Sequence, residues 1–92
     1  MGDLVNNLKS VVLDVLKPHE PDILKLGREI LSKERSVQSL EISVLEIDKE
    51  TETLKLVLEG RNVKFEEVKK RIEKLGAVVH SIDAAVMKKS KK

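Results

Sequence analysis

The hydrophobic period of this chain changes four times between its ends, and that succession constrains the fold more than any other feature. Val11, Val12, Leu13, Val15 and Leu16 form a β-branched-rich run broken only by Asp14, which predicts a first strand from Leu8 to Leu16. Pro18 and Pro21 close that strand and open a helix, with Pro21 suited to the first helical position. Ile23, Leu26, Ile30 and Leu31 then recur at helical spacing. Leu40, Ile42 and Val44 alternate with Glu41 and Ser43, as in a half-buried strand. Leu45 and Ile47 fall on the opposite parity, which predicts a bulge or strong twist near Leu45. The stretch Asp48-Lys49-Glu50-Thr51-Glu52 has turn composition, and Leu54, Leu56 and Leu58 mark the next strand. Phe65, Val68, Ile72 and Leu75 form a second helical stripe. Its acids come early (Glu66, Glu67) and its bases late (Lys70, Arg71, Lys74), which suits the helix dipole. Gly76 suits the residue just past that helix, and Ala77 to Met87 reads as a last strand.

The order β-α-β-β-α-β predicts an α+β fold, the ferredoxin-like plait. Such a plait is a four-stranded antiparallel sheet with two helices on one face, and its other face is bare. The expected layout is a flexible N-terminus over residues 1–8, a single domain over 9–87, and a disordered lysine-rich tail over 88–92. A chain of 92 residues without cysteine and with Phe65 as its one aromatic must build its core from Val, Leu and Ile. Domains this small bury only about 60–65% of their unfolded surface. Association with further copies is therefore an expected source of stability.

Charge narrows the partners. Charged residues make up 37% of the chain, and the formal net charge is +2. The tail Lys88-Lys89-Ser90-Lys91-Lys92 holds four cations, so the remainder has 14 basic and 16 acidic residues, a net of −2. Interspersed charge of this kind reads as solvated surface, and the Lys/Glu richness fits a thermophile. No segment approaches the roughly 18 apolar residues of a membrane span, and no secretory signal is present at the N-terminus. The expectation is a cytoplasmic protein without a membrane role. A ferredoxin-like sheet that binds RNA stacks bases on exposed aromatics, and the predicted strands carry none. Only the lysine tail offers phosphates a weak, salt-sensitive contact. Nucleic acid is thus an unfavoured partner.

Two strings place ionisable groups within or just past apolar runs: Leu13-Asp14-Val15-Leu16-Lys17-Pro18-His19-Glu20-Pro21 and Gly76-Ala77-Val78-Val79-His80-Ser81-Ile82-Asp83. Together with Ser43-Val44-Leu45-Glu46-Ile47-Asp48-Lys49-Glu50-Thr51, they resemble the archaeal domain of unknown function 211 family, over about Lys9 to Met87. The resemblance implies an archaeal, ferredoxin-like, oligomeric protein, with a ring of subunits as one form of assembly. It implies no activity, because none is assigned to the family, and it supplies no catalytic residues.

The residues themselves suggest a ligand or metal site drawn from Asp14, His19, Glu20, His80 and Asp83. Asp14 and His80 fall on strands that the topology makes adjacent and antiparallel. His19 and Glu20 fall in a loop at the same end of the sheet as the acidic hairpin carrying Glu46, Asp48, Glu50 and Glu52. Carboxylate-rich surroundings favour Ca²⁺ or Mg²⁺ over Zn²⁺, although histidine draws transition metals. Against this stand ordinary structural roles: a packed His80, a paired or solvated Asp14, His19 and Glu20 as helix-start chemistry, and a hairpin that is simply wet. An unpaired carboxylate does not stay buried, so Asp14 must face the open side, find a partner or join a subunit contact. Val12, Leu16, Leu45 and Val57 are the expected interface residues on the bare face. No nucleophile–base set and no glycine-rich phosphate loop occurs, which argues against an enzyme. The expected function is a homo-oligomeric module that binds a small molecule or cation, with a purely structural scaffold as the alternative.

Overall fold

Alternation and helical spacing translate into the expected order in the computed structural model, which describes residues 5–90. The elements are β1 (Val5–Pro18), α1 (Ile23–Lys33), β2 (Ser39–Ile47), β3 (Thr51–Glu59), α2 (Phe65–Lys74) and β4 (Val78–Ser90). The strands form one antiparallel sheet in the order β2-β3-β1-β4. This is the ferredoxin-like α+β plait, with β2 and β4 at the edges.

Side-chain parity explains which face the helices cover. Val11, Leu13 and Val15 of β1 are buried, as are Leu54, Leu56 and Leu58 of β3. Leu13 pairs with Leu56 and Val15 with Leu54, so these side chains share one face. Leu26 and Ile30 of α1, and Val68 and Ile72 of α2, close over them in a single aliphatic core. Phe65 and Leu75 pack at its margin. Leu31, read from spacing as part of the α1 stripe, lies outside the core and is exposed.

Helix α1 begins later than the proline pattern predicts. Asp22 is the N-cap, and its carboxylate accepts the Lys25 backbone N–H at 2.8 Å. Pro21 therefore precedes the cap instead of opening the helix. The physical reason is that a carboxylate satisfies an orphan N–H, whereas proline only fits where none is needed. Gly76 follows α2 at φ 90°, the left-handed conformation expected there.

Strand β1 starts three residues before the expected Leu8, and β4 runs to Ser90. Residues 5–8, expected to be flexible, pair with residues 87–90 instead. Part of the lysine tail, Lys88 and Lys89, is thus strand; an antiparallel ladder continues through backbone bonds whatever its side chains are. Residues 1–4 and 91–92 of the expected flexible ends lie outside the described residues. At about 3.3 Å per residue the 14 residues of β1 reach about 46 Å. That length accounts for the long dimension of a molecule measuring 50 × 23 × 17 Å.

Three irregularities interrupt β1–β4 pairing and one interrupts β2–β3. The last is the predicted bulge: Val44 pairs with Leu54 and Glu46 with Thr53, so Leu45 is the extra residue. In β4 the extra residues are His80, between partners of Asp14 and Val15, and Asp83, between partners of Leu13 and Val12. In β1 the extra residue is Lys9.

The loop after β3 lies close against the segment between α1 and β2. A methyl group at Gly60 would run into the Ser36 carbonyl oxygen, a backbone atom that cannot swing aside. Gly60→Ala is expected to destabilise the fold by about 1–3 kcal/mol, the usual cost of overpacking. Urea unfolding of the variant beside the wild type measures it, and an unchanged midpoint contradicts the close approach.

Candidate functional site

Polar chemistry gathers in two places, and the alternation of β1 separates them. Val12, Asp14 and Leu16 have the parity opposite to the core, so they face the open side of the sheet. Val12 pairs with Val57 of β3, and Asp14 pairs with Lys55. On the other side of β1, Asp14 pairs with Ser81 and Leu16 with Val78. His80 has the parity of Val78 and shares this face, where its Nδ1 stands 3.3 Å from the Asp14 Oδ2. The bulge then sets Ser81 opposite Asp14 as well, out of the alternation that Val78 and Val79 begin. Asp14, Leu16, Thr53 and His80 line a depression of about 210 Å³. The His80 side chain is 75% exposed, so its outer ring edge is open to a ligand.

Asp83 sits further along β4, and its carboxylate accepts the Ser81 hydroxyl at 2.7 Å. His19 and Glu20 lie in the loop after β1 and do not line the depression with Asp14 and His80. No three His, Asp or Glu side chains converge among the described residues. The five predicted ligand residues are thus divided: Asp14 and His80 meet, Asp83 is a near neighbour on β4, and His19 and Glu20 belong elsewhere. The loop and the hairpin do emerge together, but they use each other as partners.

Of the expected interface residues, Val12, Leu16 and Val57 stand on the open face, and Leu45 is 61% exposed at its bulge. Val78 and Val86 add exposed apolar surface along β4.

The second cluster lies where the core-facing parity of β1 runs past the aliphatic residues. Lys17 continues Val11, Leu13 and Val15, and Glu52 continues Leu58, Leu56 and Leu54. The two are direct cross-strand partners. Lys17 is wholly buried, and its Nζ stands 2.9 Å from the Glu52 Oε1. The same nitrogen donates to the carbonyls of Pro21 at 2.6 Å, Pro18 at 2.8 Å and His19 at 3.2 Å. An ammonium has three N–H bonds for these four acceptors, so one bond is shared and nothing is wasted. The loop from Pro18 to Pro21 is thereby wrapped around one cation.

His19 completes the cluster. Its Nδ1 lies 3.0 Å from the other Glu52 oxygen, and its Nε2 lies 3.0 Å from the Lys49 carbonyl oxygen. The bond to Glu52 leads the causes that raise the His19 pKa above its ordinary 6.5, followed by the bond to the Lys49 carbonyl. The Glu52 pKa is lowered from 4.5, first by the His19 bond and then by that of Lys17. With both ring nitrogens engaged inside the fold, His19 has none left for a metal.

Lys17 was not singled out from sequence, although its position continues a buried parity and so signalled a buried charge. A hollow of about 320 Å³ between the helices is lined by Lys33, Glu34, Glu67, Lys70, Arg71 and Lys74. The Arg71 Nε donates to the buried Glu34 Oε2 there at 2.9 Å. That pair ties the end of α1 to α2, and its charges are spent on each other.

Lys17→Met keeps the volume of the stem and removes the charge. It leaves the loop carbonyls and Glu52 without their donor, and breaking such a buried pair costs about 3 kcal/mol. Thermal unfolding near neutral pH is the measurement, and a Tm equal to that of the wild type contradicts the role given to this residue.

Comparison with known proteins supplies the lineage. The family model described as an uncharacterized ArCR, domain of unknown function 211, matches residues 9–90. The uncharacterized protein MJ0319 of Methanocaldococcus jannaschii is 44% identical over 82 residues, which is 89% of this chain and 84% of that protein. The matched region spans Asp14, Lys17, His19, Glu52 and His80, so both polar clusters and all of the plait but the first four residues of β1 fall within it. The chain belongs to the domain of unknown function 211 family.

Proposed function

We propose that this protein is a non-catalytic, cytoplasmic binding module that assembles with copies of itself and completes its ligand site where two copies meet. One observation carries the reading: the Asp14–His80 pair lies on an uncovered sheet face among apolar residues. Exposed apolar surface of this kind marks contact sites. The occupant is a second copy of the chain, because the face is complementary to itself in charge. Asp14 and Glu41 supply negative charge and Lys55 positive charge, interleaved with Val12, Leu16, Val57 and Val78. A two-fold contact places each sign opposite the other.

The ligand class follows from the donors. Asp14 offers a carboxylate, Ser81 and Thr53 offer hydroxyls, and His80 offers an imidazole. A hard divalent cation such as Ca²⁺ or Mg²⁺, or a small polar molecule, suits an oxygen-rich set. With Asp14 as the one carboxylate among these donors, one protomer supplies too little charge to hold a divalent cation, so a second copy contributes the rest. A catalytic reading has less support, since the pair lies on an open face where water reaches it freely and general acid–base chemistry profits from exclusion of water. The one aromatic, Phe65, packs against the core and offers no base-stacking platform.

Light scattering and native mass spectrometry of the purified protein, with its metal content, test both halves. The expected result is an assembly larger than a monomer. Asp14→Asn is expected to keep that assembly and lose at least tenfold in cation affinity, read by calorimetric titration with Ca²⁺ and Mg²⁺. A monomer without a bound ion overturns the proposal. An Asp14→Asn protein that falls to monomers and binds cations as before overturns both the ligand role of Asp14 and the site shared between copies.

A further inference from the structure

His19 is held between two acceptors. Glu52 presents a carboxylate oxygen to Nδ1 and Lys49 presents a carbonyl oxygen to Nε2, each at 3.0 Å. A neutral imidazole carries one N–H and one lone pair. Whichever tautomer forms, its lone pair then points at an oxygen lone pair across 3.0 Å. Only the imidazolium, with a proton on both nitrogens, satisfies both neighbours. This follows from the positions of the atoms alone.

We infer that His19 is a proton-operated clasp that fastens the turn between β2 and β3 to the loop between β1 and α1. Protonated, the ring joins Glu52 and the Lys49 main chain to a loop already wrapped around Lys17. Deprotonated, it must release one of its two partners, and the turn loses a tether. The turn has little else to hold it. Asp48 to Glu50 are exposed, and the bond from the Asp48 N–H to the Thr51 carbonyl at 2.8 Å closes the turn on itself.

The charged neighbours decide the direction. From β3, Glu52 favours the imidazolium by hydrogen bond and by charge. From β1, Lys17 opposes it, but its charge is taken up by the same carboxylate. The turn carries Asp48, Lys49 and Glu50, and the main chain of Asp48 and Lys49 also favours the proton. Glu20 adjoins His19 in the loop, and the Asp22 carboxylate is engaged at the start of α1. The balance raises the His19 pKa, so the folded state binds this proton more tightly than the unfolded chain. The stabilisation is therefore complete below the ordinary value of 6.5 and is lost as pH rises through the raised folded value. Glu52 sets the lower limit. Its pKa is depressed, so its contribution is present above 4.5 and is lost as pH falls through the folded value. The clasp is fully closed between these limits and opens toward the alkaline side, across the range where histidine operates as a switch.

Nitrogen-15 NMR of the full chain tests this, with His80→Gln assigning the two rings. The expected result is that His19 carries protons on both nitrogens at about pH 6 and titrates above 6.5, while amide exchange at Asp48, corrected for intrinsic pH dependence, speeds several-fold as that proton leaves. In His19→Gln the same amide is expected to show no such step. A His19 that titrates at or below 6.5 in the wild type overturns the inference, and so does an exchange step of equal size in His19→Gln. The wild-type titration needs no variant to fold, and neither readout depends on assembly or on a ligand.

Discussion

Everything in this fold is referred to β1, a central strand of the sheet that pairs with β3 on one side and β4 on the other. Its alternation sends Val11, Leu13, Val15 and Lys17 beneath the helices and Val12, Asp14 and Leu16 to the bare side. Register then carries that division to β3 and β4. A slip of one residue would exchange the two sets, burying Asp14 without a partner and exposing the aliphatic row. The core has no aromatic centrepiece and no disulfide to hold this register. Many small aliphatic contacts, all of one parity, do so instead.

How far the sequence reached depended on whether a feature belongs to one segment or to a pairing. Alternation in Leu54-Lys55-Leu56-Val57-Leu58 and spacing in Phe65, Val68, Ile72 and Leu75 are local, and both elements could be read directly. The break of phase at Leu45 is local too, and its bulge was legible for that reason. The bulges at His80 and Asp83 are different. They arise because β4 carries more residues than β1 over the same span, and nothing in Val78-Val79-His80-Ser81-Ile82-Asp83 alone reveals it. The proximity of Asp14 and His80 followed from topology, whereas the placing of Ser81 beside His80 on the same face required the extra residue. Lys17 is different again: a lysine ordinarily keeps its ammonium in water, although here the parity of β1 places it inside.

The two histidines illustrate how the same side chain takes on different roles. His80 has one ring nitrogen near a carboxylate and its other edge in water. A second group is free to approach, which is the arrangement a ligand site uses. His19 has both nitrogens committed to fixed acceptors. It is a tie within the protein, and Glu52 shares its two oxygens between that tie and the Lys17 ammonium. The acidic hairpin thus contains one carboxylate with a structural task among several that face water.

The two extra residues of β4 behave as paired frameshifts. His80 displaces the inward–outward reading of the strand by one place, and Asp83 displaces it once more. Beyond them the original frame returns, and Ala85 stands opposite Val11 as Val79 stands opposite Val15. Between them lies a short window, Ser81 and Ile82, read in the other frame. A gain or loss of one residue at either position would extend that altered frame to the end of the strand and turn the outer half of the ribbon inside out. A compensating change at the other position would rescue it, so the lengths of these two sites are coupled although neither touches the other.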